Sequence, residues 1–130
     1  MTTFELLFTA GAVGAVAFLI LVTSGRTGTG KWQIAAALSA AFFAYSLIPI
    51  LQEGPLGFVA NHTVSHWGVQ VFWDLVLALS MTLFLAAPRA RRLGMNLTLW
   101  VIPVLLLGSI GALALLARLF WLEEHRETRT

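Results

Sequence analysis

Four runs of about twenty mostly apolar residues, near 4–22, 32–51, 69–87 and 97–122, take up most of this 130-residue chain. A helix needs about 20 such residues to cross the hydrocarbon core of a bilayer. Within that core only helices and closed barrels satisfy every backbone N–H and C=O. The runs therefore predict an all-α polytopic membrane protein, a bundle of four transmembrane helices forming a single domain over residues 1–130. Composition agrees: 58% of the residues are hydrophobic and 11% charged, with a mean hydropathy of +0.85, against about 45–50% apolar and about 25% charged in an ordinary soluble domain.

The connections are SGRTGTGK, QEGPLGFVANHTVSH and PRARRLGMN, each with the glycine, proline or charge of a water-exposed turn. No basic region precedes the first run, whose only early charge is Glu5, so it is expected to remain as a span and not to be cleaved as a signal. Arg26 and Lys31 lie in the first connection and Arg89, Arg91 and Arg92 in the third, while the N-terminus and second connection have neither lysine nor arginine. Basic loops stay in the cytoplasm. With four spans, both termini then fall outside a cell inner membrane, although Arg126 and Arg129 in the tail run against that rule.

Tryptophans prefer the membrane interface, where the ring is buried and the N–H stays wet. Trp32 and Trp100 fall at expected cytoplasmic ends, and Trp67, Trp73 and Trp121 at expected outer ends. Trp100 and Trp121 are expected about 32 Å apart at 1.5 Å per residue, close to the thickness of a bilayer core. An interface belt explains five tryptophans more simply than a cofactor box does.

Membrane helices approach closely through small residues. Gly11 and Gly14 in the first run, Ala36, Ala40 and Ala44 in the second, and Gly108 and Gly111 in the fourth form such stripes. Pro49 and Pro103 are read as lying near helix ends, with a modest bend at Pro103. The sequons at Asn61 and Asn96 are not read as glycosylation sites.

The third run, VQVFWDLVLALSM, contains one charge, Asp74. An ionised acid within the membrane costs several kcal/mol unless it is paired or reaches water, so it marks a functional position with a partner to be found. Depth alone names the partner: Arg118, about a turn before Trp121 on the fourth span, is expected at a similar level, and so is Glu5 on the first. Asp74, Arg118 and Glu5 are thus expected to form a polar layer near the outer face, roofed by Glu53, His62 and His66. Such a layer would hold the helices in register or carry chemistry or transport.

His62 and His66 are four residues apart and could share a helix face, as in zinc proteases, but Thr63 stands where the glutamate of that motif belongs and no third ligand has the right spacing. An interfacial loop is the simpler reading. Cysteine is absent, which removes disulfides, thiolate metal sites and covalent haem attachment. A net charge of +2, with scattered basic residues, argues against nucleic acid as a partner. No phosphate loop, nucleophile elbow or paired-carboxylate motif is present, and no cofactor, pigment or lipid can be named from the residues.

WDLVLALS, then ARRLGM, then W-x(7)-GSIGALALLAR give the stretch from Trp73 to Arg118 a resemblance to small bacterial membrane proteins grouped by a domain of unknown function. The resemblance implies a fold and a membrane location, and singles out Asp74, Arg91, Arg92, Gly108, Ser109 and Arg118. This chain has Ala112 where such sequences often carry proline. Small multidrug exporters share the length, but their essential acid is central in the first helix, whereas Glu5 is at its edge. Carotenoid cyclases share a Trp-Asp pair, but Glu53-Gly54-Pro55 runs opposite to their acidic motif.

Three functions fit these residues. The first is an accessory or assembly subunit of a larger membrane complex, with the bilayer and other subunits, or further copies of the chain, as partners. The second is a membrane enzyme on an isoprenoid or lipid, with Asp74 as general acid and Arg118 orienting it. The third is a small proton-coupled transporter using the same acid.

Overall fold

The computed structural model describes residues 2–24 and 31–128. Arg26, Gly28, Gly30 and Arg129 lie outside them. Six helices and no strand occur among the described residues: α1 (Thr3–Thr23), α2 (Trp32–Glu53), α3 (Gly57–Thr63), α4 (His66–Arg92), α5 (Leu97–Leu107) and α6 (Ser109–Glu127). Three of them, α1, α2 and α4, are long and apolar enough to cross a membrane. The chain divides into two compact units, Met1–Lys31 and Trp32–Thr130.

The first unit is α1. Thr2 and Glu5 close its start reciprocally, with the Thr2 N–H donating to Glu5 Oε2 at 2.7 Å and the Glu5 N–H donating to Thr2 Oγ1 at 3.2 Å. This is a capping box, which satisfies donors that the first helical turn leaves orphaned.

The second unit departs from the expected architecture at the fourth apolar run. That run is two helices joined at Gly108, whose backbone (φ 57°, ψ −126°) reverses the chain. An L side chain is strained there and glycine is not. The reversal lays α6 back against α5 so closely that a Cβ on Gly111 would overlap the Pro103 carbonyl. At 11 residues, α5 rises about 16 Å, half of a hydrocarbon core. The expected fourth span is therefore a helical hairpin, and Pro103 sits inside its first arm where a gentle bend was expected.

Local sequence sets up the turn into this hairpin. Gly94 (φ 74°) ends α4, with its N–H donating to the Arg91 carbonyl at 3.0 Å and the Met95 N–H donating to the Ala90 carbonyl at 2.9 Å. These two bonds make a Schellman motif. Asn96 then caps α5 by accepting from the Leu99 N–H at 3.4 Å.

The core forms where α6 meets α4 and α5. Leu115 and Leu119 are fully buried against Ala86 and Ala90, with Trp100, Leu116 and Phe120 around them. On both helices the buried residues are four apart, so leucines of one face fill the space left by alanines of the other. On the opposite side α6 packs on α2, where the buried Ser39 hydroxyl donates to the Ile110 carbonyl at 2.9 Å.

The second connection, read as a loop, contains α3, which packs on α4. Gly68 permits this approach, because a Cβ there would come within 2.7 Å of the Asn61 carbonyl oxygen. Ser65 caps α4 through the Gly68 N–H at 3.0 Å, and the helix runs three residues earlier and five later than the expected 69–87.

Candidate functional site

Hairpin geometry decides which charged groups can meet. Gly108 at its tip lies beside Leu79, and Glu123 near its end pairs with Arg89. The second arm, α6, therefore runs parallel to α4. Arg118 falls between those levels, near Ala86, which is roughly 15 to 20 Å along α4 from Asp74.

The expected pairing of Asp74 with Arg118 is corrected accordingly. Arg118 does not meet Asp74; its guanidinium lies 4.7 Å from the Trp121 ring centroid, a cation–π contact at the far end of the unit. Glu5 belongs to the first unit and caps α1. Asp74 itself is exposed, about two turns past His66, and makes no hydrogen bond or ion pair among the described residues.

The roof residues have local tasks. Glu53 Oε2 accepts from Asn61 Nδ2 at 3.0 Å, tying the end of α2 to α3. The His62 ring lies against Phe58, with centroids 4.2 Å apart, and its Nδ1 donates to the Phe58 carbonyl at 2.7 Å. His66 opens α4. Among the described residues, no group of three His, Cys, Asp or Glu is placed to hold a metal ion.

The expected close-packing residues separate. Gly108 and Gly111 build the hairpin, whereas Gly11 and Gly14 have open space where a Cβ would stand. On α2 the buried face is Ala35 and Ser39, and Ala40 is exposed. The tryptophans gather at two ends of the second unit. Trp67 and Trp73 lie in the first turns of α4, while Trp100 and Trp121 lie near the other end of that helix, and Trp32 opens α2. Trp121 therefore shares an end with Trp100, because the chain reverses between them.

What the sequence reading missed is the contact between the tail and the C-terminal end of α4, whose arginines it took as a basic turn. Arg89 donates twice to Glu123, Nε to Oε1 at 2.8 Å and Nη2 to Oε2 at 2.6 Å. Arg126 donates from Nη1 to the Arg92 carbonyl at 2.9 Å, covering an orphan acceptor at the helix end. Two signals were available: a GSIG break within an unusually long run, and the tail arginines that violated the charge rule.

Chemically, the unit offers a lone acid on one membrane helix and a cationic end on the same helix, with no nucleophile and base in contact among the described residues. No family model, curated protein or solved structure matches this chain.

Proposed function

We propose that the chain is an accessory or assembly subunit of a larger complex in a bacterial inner membrane, with three spans and a re-entrant hairpin. Lys31, the α4 arginines and the tail then all face the cytoplasm, and the N-terminus and the connection that holds α3 lie outside. This orientation removes the conflict between Arg126 and the charge rule, because α6 returns to the basic side.

Asp74 carries the reading. It is exposed on a membrane helix, two turns from the end, with no partner among the described residues. A charge at that depth is stabilised by pairing or water. A donor on a neighbouring subunit, or on another copy of this chain, would supply the pair. The enzyme reading needs a second group to orient Asp74, and Arg118 is too far away to serve.

A tagged chain purified from native membranes in a mild detergent, followed by mass spectrometry, tests the proposal. Recovery in fixed ratio with other membrane subunits, lost on Asp74→Asn, is expected. Recovery of the wild-type chain alone would remove the subunit reading and leave an enzyme or transporter.

A further inference from the structure

Between α4 and α5 runs an open groove of about 430 Å³, walled by Leu83, Phe84, Ala87, Leu97 and Val101, with Arg91 and Thr98 as its polar members. From Leu83 to Arg91 the wall extends about 12 Å along α4, from hydrocarbon depth to the membrane boundary. Phe84 is 78% exposed at its edge, so the groove opens sideways toward lipid.

Its polar groups are uncommitted. Arg89 is taken by Glu123 and Arg126 by the Arg92 carbonyl, whereas the Arg91 and Arg92 guanidiniums have no ion pair or hydrogen bond among the described residues, and of these two only Arg91 lines the groove. Hydroxyls elsewhere in these helices, at Thr9, Thr23, Ser46, Ser80 and Thr82, donate to the carbonyl four residues back. Thr98 lies in the first turn of α5, where no helical carbonyl precedes it, and its hydroxyl makes no bond among the described residues.

We propose that this groove binds one anionic phospholipid, its phosphate on Arg91 and Thr98 and one acyl chain along the apolar wall. The inference rests on the membrane reading above but not on the accessory role. A guanidinium and a free hydroxyl at the boundary match a phosphodiester, and apolar walls below them match a chain attached to it. A zwitterionic lipid carries its own ammonium beside the phosphate and gains less from Arg91.

The full chain in detergent is titrated with phosphatidylglycerol or phosphatidylcholine and read by native mass spectrometry. One phosphatidylglycerol per chain should bind in preference to phosphatidylcholine, and Arg91→Gln should weaken it about five-fold, the worth of one basic side chain near a lipid surface. Val101→Trp, which fills the groove and keeps every charge, should weaken it as well. Arg92→Gln removes the same charge outside the groove and should have a smaller effect than Arg91→Gln.

Equal retention of both lipids, or equal losses in Arg91→Gln and Arg92→Gln, would overturn the site. Displacement of the lipid by inorganic phosphate would overturn it in favour of a free-anion site. Carbonate extraction of the same membranes keeps the two failures apart: a chain that stays in the pellet but does not select lipid refutes the groove and leaves the membrane reading intact.

Discussion

Arg89 and Glu123, 34 residues apart in sequence, are joined by two parallel hydrogen bonds of 2.8 and 2.6 Å, which fasten the end of the hairpin to the end of α4. The pair is half in water, with side-chain exposures of 42% and 28%, so solvent screens it. Its bidentate geometry keeps it at the upper end of surface pairs, about 1 kcal/mol. Glu123→Gln should lower detergent stability by about that amount, and a double-mutant cycle with Arg89→Gln should show coupling that shrinks in high salt. Independent, additive losses would mean that the pair does not hold the hairpin.

Gly111→Ala should be the most damaging small change in the chain. Its Cβ would overlap the Pro103 carbonyl, so the arms must separate, at about 1 to 3 kcal/mol or with loss of a monodisperse fold. Gly14→Ala meets open space within its own unit and replaces glycine by a better helix former, so it should be neutral or stabilising. Thermal unfolding of both variants in one detergent checks the contrast. Equal effects would contradict the close approach.

These two glycines show how much of the structure the sequence carried. Helix content, the apolar runs and the membrane composition were legible because burial in lipid depends on total apolarity, which is local. Whether a mostly apolar run of 26 residues crosses once or turns back at Gly108 is a different matter. A glycine inside a membrane helix and a glycine at a hairpin tip look alike until the arms are packed. The placements of Arg118 and Trp121 assumed a straight helix and were reversed with it, while Asp74, on a helix long and apolar enough to cross a membrane, lost its expected partner.

Ser39→Ala should cost about 0.6 to 1 kcal/mol, the usual worth of a hydrogen bond between helices in a membrane. Its hydroxyl, buried between α2 and α6, donates to the Ile110 carbonyl two residues past Gly108 at the hairpin tip. Ser39→Cys keeps the size with a weaker donor and should fall between. Unfolding of the three proteins under one condition orders them, and a neutral alanine variant would show that the bond is not formed in the bilayer.

Asp74→Asn should leave the isolated chain as stable as wild type, since the carboxylate has no bond to lose among the described residues. The same substitution should release the subunits recovered with it, because the charge is then missing from the shared pair. Stability and co-purification measured on one preparation separate these effects. A marked loss of stability would place the partner of Asp74 within its own chain.

Topology is the central claim, and thiol labelling reads it most directly because the chain has no cysteine of its own. Single cysteines at Leu56, Arg92 and Thr128 would be exposed to a membrane-impermeant maleimide in right-side-out and in inside-out vesicles. The re-entrant hairpin predicts that Arg92→Cys and Thr128→Cys label together from the cytoplasmic side and Leu56→Cys from the other. Labelling of Thr128→Cys together with Leu56→Cys would mean that the last run crosses the membrane, contradicting the hairpin.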